Sequence, residues 1–216
     1  MEHKLELRIL LVNSAKDLGL AVEEAQLEQF QRYLTHLLEW NRVINLTAIV
    51  DPCEIIIKHF IDSLAALVVN DFTEKSFVLD VGSGGGFPGI PIKIMKSAVR
   101  LVLVEPVQKK CSFLHSVIGL LKLQDVSVSN CKIEQYAQGQ LRERINTVVV
   151  RALKYEHIQM HIRALLAPKG KVILYRTDPI HNEEIWEDFH LVNEKTLMLP
   201  HGAGRRVISV MQGNSK

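Results

Sequence analysis

What this chain lacks narrows its class before any motif is read. It has three cysteines in 216 residues, Cys53, Cys111 and Cys131, and no two form a CxxC pair. An odd, widely spaced set of thiols argues for reduced side chains, with neither a disulfide framework nor a zinc site. Near the start, the charges Glu6, Arg8, Lys16 and Asp17 interrupt the apolar stretch Leu5 to Leu20, as no signal peptide or membrane-spanning helix would allow. A soluble, cytoplasmic protein that binds no metal and no membrane is the expectation. Charge of one sign is also scarce: 26 Lys and Arg against 24 Asp and Glu leave +2, too little to imply nucleic-acid binding by itself, though a local basic face stays open. Repeats, low-complexity tracts and long linkers are absent. With 47% apolar residues the chain can bury one substantial core, and a separate catalytic domain has no room.

What is present starts with the run Asp80-Val81-Gly82-Ser83-Gly84-Gly85-Gly86-Phe87-Pro88-Gly89, directly after the apolar Phe77-Val78-Leu79. A buried strand here breaks into a glycine-rich turn with a carboxylate at its mouth. Glycine permits positive φ and lets a ligand lie against the main chain, and the following helix is expected to turn free N–H groups toward it. A dinucleotide fingerprint opening at Gly82 would need its third glycine at position 87, which is Phe87. The acid followed by alternate glycines, Asp80, Gly82, Gly84 and Gly86, is instead similar to the loop of class I S-adenosylmethionine-dependent methyltransferases. A second strand, Val99 to Val104, ends at Glu105, about twenty residues beyond the glycines, where a carboxylate can accept from both hydroxyls of an adenosine ribose. A carboxylate after a strand also serves as a plain helix cap.

The wider pattern divides the chain into a helical lead over residues 1–70 and an alternating α/β region over 71–216. Leu27, Phe30, Leu34, Leu37 and Leu38, with Val43 as a further candidate, recur at helical spacing between residues 23 and 46. Asp51-Pro52 reads as an N-cap with proline in the first turn, opening a helix through Ile55, Ile56, His59, Phe60, Leu64 and Leu67. Strands are then expected at Phe77–Val81, Arg100–Val104, Asp125–Ser129, Thr147–Val150, Lys171–Arg176, Leu191–Leu199 and Arg206–Met211. Helices are expected from about Gly89, over Lys109–Leu121, around Glu156–Leu166 and, briefly, near Asn182–Phe189. The early strands suit a parallel, doubly wound sheet, and the last two, with no helix between them, suit an antiparallel hairpin.

Read together, several words carry a closer likeness: Trp40-Asn41, Asn45-Leu46-Thr47, His59-Phe60-Ile61-Asp62-Ser63, the glycine loop through Pro91, and Arg151-Ala152 after the fourth strand. Over almost its whole length the chain resembles the RsmG, or GidB, family of bacterial 16S rRNA methyltransferases. The resemblance implies a Rossmann-like class I methyltransferase with a seven-stranded sheet and an N-terminal helical segment. It implies S-adenosylmethionine as cofactor and methyl transfer to guanine N7, at the guanosine at position 527 of 16S rRNA, in the 30S subunit or an assembly intermediate, by a monomer. It also places Phe87, Ile133, Glu134 and Arg151 with Asp80, Gly82, Gly84 and Glu105 around the cofactor.

The residues have readings of their own. Gly82 and Gly84 would let the methionine part of the cofactor cross the strand end, and Asp80 would hold its ammonium or an ordered water. Ile133 suits an adenine wall or simply the core. Arg151, at the carboxyl edge of the sheet, suits a carboxylate or phosphate held bidentately, or an ion pair. His59, Asp62 and Ser63 share one side of a helix at i, i+3 and i+4, facing the site or packing; no nucleophile elbow surrounds Ser63. Cys53 reads as core. For RNA phosphate the candidates are Arg42, Lys58, Lys93, Lys96 and Arg176, with Arg205 and Arg206 after a glycine-containing segment; each also reads as an ordinary solvated charge. Relatives commonly carry alanine-leucine-lysine in the fifth strand, where this chain has Leu174-Tyr175-Arg176. No general base is expected, because guanine N7 carries no proton and positioning supplies the rate. Methylation of another RNA, a small molecule or a protein, NAD-dependent oxidoreduction through Gly82 and Glu105, and a non-catalytic binding protein remain as other readings.

Overall fold

The computed structural model describes residues 2–139, 145–153 and 155–214. The lead contains α1 (Glu2–Asp17) and α2 (Glu24–Ile44), followed by α3 (Pro52–Ile55), a π-helical turn over Ile56–Ile61, α4 (Asp62–Leu64) and α5 (Ala66–Val69). Asp51 caps α3 as its sequence suggests, its Oδ1 accepting from the Glu54 N–H at 2.9 Å. The single helix expected through Ile55 to Leu67 is instead interrupted by the π turn, and π turns widen the helical repeat. Cys53 is exposed and so lies outside the core: in the short first turn it points outward while Ile55 turns in.

Seven strands follow: β1 (Phe77–Val81), β2 (Arg100–Val104), β3 (Val126–Ser129), β4 (Ile145–Arg151), β5 (Leu166–Arg176), β6 (Phe189–Leu199) and β7 (Gly204–Gly213). They form one sheet in the order β3-β2-β1-β4-β5-β7-β6, with β7 antiparallel to both β5 and β6. Between them lie α6 (Gly89–Met95), α7 (Gln108–Leu121), α8 (Ile133–Gly139) and α9 (Gln159–Leu165). The helix expected near Asn182–Phe189 is reduced to a 3-10 turn over Asn182–Glu184. There the Glu184 carboxylate is drawn to the His181 N–H, and the chain leaves Ile185 extended so that Trp186 and Phe189 can pack edge to face at 4.9 Å. The β5 strand begins earlier than expected and passes through Pro168-Lys169-Gly170, where Lys169 takes a φ of 61°.

Strand alternation sorts the core onto the two faces of the sheet. Val78, Leu101, Leu103, Val149 and Ile173 join one apolar cluster with Leu11, Phe30, Tyr33 and Phe60 of the lead, and with Phe113 of α7. Leu79, Val81, Val102, Val104, Val148, Val150, Val172 and Leu174 join another with Ile133, Tyr136 and Ile162. Register pairs Val81 with both Val104 and Val150. The residues that follow, Gly82, Glu105 and Arg151, therefore emerge side by side at the carboxyl edge, next to the point where the order reverses between β1 and β4.

The loop after β1 is locked to the lead. Tyr33, buried on α2, donates its hydroxyl to the Gly85 carbonyl, and Phe87 stacks against Tyr33 at 5.6 Å and His59 at 4.6 Å. Gly86 has a φ of 93°, and a Cβ there would meet Ile90 Cδ1 at 2.5 Å and Tyr33 Oη at 2.6 Å. Since both neighbours are fully buried, Gly86→Ala is expected to cost more than about 2 kcal/mol in denaturant unfolding; a loss below about 0.5 kcal/mol would show that this packing is not needed.

Candidate functional site

By alternation, Asp80 shares the face of Val78, Glu105 that of Leu103, Arg151 that of Val149 and Tyr175 that of Ile173. All four side chains therefore turn toward the helical lead. Three of them end next to the glycine loop. Glu105, buried, accepts from the Gly84 N–H through Oε2 at 2.8 Å and from the Val107 N–H through Oε1 at 2.9 Å. It caps the start of α7 and fixes the loop with the same carboxylate. Asp80 is fully buried, and its Oδ2 accepts from the Gly89 N–H at 2.9 Å. The first amide of α6, expected to face a ligand, is thereby closed by protein. Asp80 Oδ1 is buried without a partner. Burial pushes this carboxyl up to about 7, against the pull of the Gly89 N–H, the Ser83 hydroxyl and the Arg151 guanidinium.

The glycines differ in what surrounds them. A Cβ on Gly82 would strike the Leu153 side chain at 2.5 Å, so this glycine makes room for the chain after β4. At Gly84, with a φ of 57°, the nearest atom to an added Cβ is the Gly82 carbonyl at 3.9 Å. Gly84 therefore presents bare main chain to open space. Phe87 lies among Tyr33, His59 and Phe60. Ile133 is buried with Val81 and Val104. Beside it, Glu134 keeps a buried Oε2 without a partner.

Arg151 is committed to the lead. Its Nε pairs with Asp62 Oδ2 at 3.0 Å, and its Nη2 donates to the Lys58 carbonyl at 2.6 Å and to His59 Nδ1 at 3.1 Å. Its ion pair is with a fully buried carboxylate, not a surface one. Arg206 reaches the same carboxylate from β7, by Nε to Oδ1 at 2.5 Å and Nη2 to Oδ2 at 2.9 Å. Of the helical trio, His59 and Asp62 face this edge. Ser63 spends its hydroxyl on the His59 carbonyl of its own helix.

The RNA-side candidates fare unevenly. Lys93 is corrected: its ammonium is buried and donates to the carbonyls of Ser97 and Val99, both at 2.6 Å, closing the chain end beyond α6. Arg176 is held by Glu184, both carboxylate oxygens lying at 2.9 Å from Nη2, and by the Tyr155 hydroxyl. Arg205 pairs with Asp178 and Lys58 with Glu54 at 2.5 Å. Arg206 is not a mobile grip after a glycine turn, because the β6–β7 pairing carries it back onto Asp62. Arg42 is exposed on the last turn of α2 and Lys96 half-buried. Arg151, Ala152, Tyr175, Arg176, Thr177, Asp178 and Arg206 line an open pocket of about 420 Å³ at this edge. Sequence reading passed over Tyr33, Tyr155 and Glu184, and named Tyr175 only as a departure from the family's fifth-strand word. Only Tyr33 left a signal, a hydroxyl on an otherwise apolar helix face that must find a buried partner.

The sheet order, with its last strand inserted antiparallel between β5 and β6, and the glycine loop at the end of β1 define a class I methyltransferase fold. A putative O-methyltransferase from Klebsiella pneumoniae superposes with a TM-score of 0.58 at 15% identity, covering 85% of this chain and 90% of that one. TrmN from Thermus thermophilus gives 0.51 at 13% identity, over 64% of this chain and 44% of the TrmN chain. The family model "GidB: rRNA small subunit methyltransferase G" matches residues 26–206. Proteins called ribosomal RNA small subunit methyltransferase G are 43% identical over 175 residues in Roseiflexus sp. (76% of this chain, 74% of the relative) and 36% over 177 in Clostridium botulinum (82% and 74%). The one from Staphylococcus aureus is 32% identical over 209 residues (93% and 87%). The chain belongs to the rRNA small subunit methyltransferase G family. Among the described residues no group of His, Cys, Asp and Glu could hold a metal ion, and no helix is long and apolar enough to cross a membrane.

His59 ties this edge to the lead. Its Nε2 lies 2.7 Å from Thr47 Oγ1 while Nδ1 faces Arg151. Nδ1 must accept from the guanidinium, so Nε2 carries the proton and the ring is neutral. Burial, then the Arg151 charge, push the imidazole down to about 4. The unfolded chain, with a His near 6.5, binds the extra proton first, so this contribution to stability is full above about pH 6.5 and is lost as pH falls toward 4. In unfolding measured against pH, the stability advantage of the native protein over His59→Gln is expected to shrink by up to about 3 kcal/mol across that window. An advantage that stays constant with pH would show a histidine that is not held neutral.

Proposed function

We propose that this protein transfers methyl from S-adenosylmethionine to N7 of a guanine in 16S rRNA, at the guanosine at position 527, in a 30S subunit or an assembly intermediate. The observation that carries the cofactor half is the bare main chain at Gly84, with the buried Glu105 accepting from its N–H and Asp80 Oδ1 buried without a partner; a second such oxygen, Glu134 Oε2, lies on α8. Buried acceptors without partners are costly and call for donors, and the cofactor has them in its ammonium, ribose hydroxyls and adenine amino group. These residues fit it. Asp80 would receive the ammonium, Glu105 the ribose, Glu134 the adenine edge, with Ile133 against the ring and Gly84 letting the main chain approach, while Gly82 makes room for Leu153 beside them. When bound, S-adenosylmethionine supplies an electrophilic methyl on a sulfonium.

Guanine N7 offers an in-plane lone pair and no proton, so the protein's task is to orient, exclude water and hold the acceptor in line. Such positioning is worth up to about 7–11 kcal/mol in ideal intramolecular cases. The chain fits that demand. His59 is not set up as a general base, because both of its ring nitrogens are taken, by Thr47 and by Arg151; and the segment after the fourth strand reads Val150-Arg151-Ala152-Leu153, not the acidic or asparagine-proline-proline-aromatic motif of exocyclic-amine methylation. Family membership supports rRNA as the acceptor, the fold supports a class I methyltransferase, and a ribosomal substrate is consistent with an enzyme of the cytoplasm, which on this reading acts as a single chain.

Incubation with labelled S-adenosylmethionine and 30S subunits from a strain lacking the modification is expected to put label in 7-methylguanosine of 16S rRNA. Cofactor binding with no labelled nucleoside would reject this acceptor. Gly84→Ala tests the cofactor surface separately. Its positive φ costs about 1 kcal/mol of stability, while affinity for S-adenosylmethionine is expected to fall at least tenfold by calorimetry; unchanged affinity would move the cofactor elsewhere. Because Asp80 titrates near 7 and only its charged form pairs with an ammonium, affinity is expected to weaken as pH falls, approaching tenfold per unit below about pH 6. A flat profile between pH 5 and pH 8 would remove Asp80 from that role.

A further inference from the structure

Arg151 and Arg206 reach one carboxylate, Asp62, from two different strands. Their side chains are 13% and 19% exposed, and Asp62 is fully buried. Two guanidinium groups stay charged at any working pH, and a single carboxylate neutralises one of them. Two further carboxylates of this edge have cations of their own, Glu184 with Arg176 and Asp178 with Arg205; Asp80, whose carboxyl is pushed up by burial, accepts from the Gly89 N–H and also feels the Arg151 charge. His59 is neutral and adds nothing. Taken by themselves, two guanidinium groups on one carboxylate carry a net positive charge in a largely buried place, which favours an anion brought to it.

Donors for that anion exist. The contacts described use three of the five N–H groups on each guanidinium: Nε, Nη1 and Nη2 of Arg206 go to Asp62, the Arg176 carbonyl and Asp62. On Arg151, Nε goes to Asp62, and Nη2 to the Lys58 carbonyl and His59. Both arginines line the same pocket of about 420 Å³, on the β4 and β7 sides of Tyr175, whose own hydroxyl is turned away to the Ser63 carbonyl at 2.6 Å. Asp62 fixes both forks, so the remaining N–H groups are pre-aimed and less side-chain entropy is lost on binding.

Resting on the rRNA reading above, we propose that the Arg151–Asp62–Arg206 triad is an anion subsite that receives a phosphodiester group of the RNA next to the target guanosine, with Asp62 as a positioning residue. The cofactor's carboxylate is the other source of such an anion, and the two sources separate experimentally. Arg206→Gln removes one cation and leaves Arg151 and Asp62 as a balanced pair.

The test measures binding of unmethylated 30S subunits across a salt series, and S-adenosylmethionine affinity by calorimetry, for the native protein and for Arg206→Gln. The slope of log affinity against log salt is expected to fall by about one, with roughly tenfold weaker 30S binding at fixed salt and cofactor affinity unchanged. An unchanged slope overturns the proposal; if cofactor affinity drops with it, the cofactor carboxylate is the anion. Should Arg206→Gln not fold, Arg206→Lys keeps the charge and loses the fork. Retained slope with several-fold weaker 30S binding supports the subsite, and unchanged binding overturns it. Native protein that binds 30S subunits but transfers no methyl refutes the enzymatic reading, while the slope comparison still decides the subsite.

Discussion

The register of β1 against β2 and β4 is the constraint on which the rest depends. Once Val81 lies level with Val104 and Val150, the ends of three parallel strands fall in line. The two-residue alternation of a strand then sends Asp80, Glu105 and Arg151 to the same face. A slip of one residue in any strand would send its charged group to the opposite face, among the side chains of α8 and α9. Hydrophobic runs on both faces hold the register, since β1, β2 and β4 each bury valine or leucine on either side.

That shared face is also the one the helical lead covers, and this makes the lead part of the site. Tyr33 pins Gly85, His59 stacks on Phe87, and Asp62 pins Arg151 and Arg206. Two residues of the π turn, Lys58 and His59, present a carbonyl and a ring nitrogen to one guanidinium, and π turns recur where a helix must serve a functional contact. The glycine loop, the arginines and the lead form one polar network, and polar networks inside a core demand that every member be satisfied. Within it, Asp80 Oδ1 is buried without a partner.

Much of this was legible along the chain. The glycine loop, the acid at the end of β2, the parallel order and the closing hairpin follow from apolar runs, turn residues and spacing. Local signals failed where a partner far away in sequence decided the outcome. Arg206 sits after glycines and reads as solvent-facing until Asp62, more than a hundred residues earlier, claims it. Lys93 reads as an exposed helix cation until the chain beyond α6 folds its carbonyls over it. The stretch at Asn182–Phe189 has helical residues, yet Glu184 is drawn to Arg176 and Tyr155, and Trp186 and Phe189 are drawn to each other.

By itself, then, the sequence determined which segments are buried, where the main chain must turn without side chains, and which carboxylates and guanidinium groups arrive at strand ends. These follow from short-range rules of periodicity, backbone freedom and charge. Tertiary structure alone decided which charges meet, which amides remain open and which polar atoms stay unpaired. Pairings such as Asp62 with Arg151 and Arg206 depend on strand register and helix docking, and both are set by the collective packing of a core that no single segment can form.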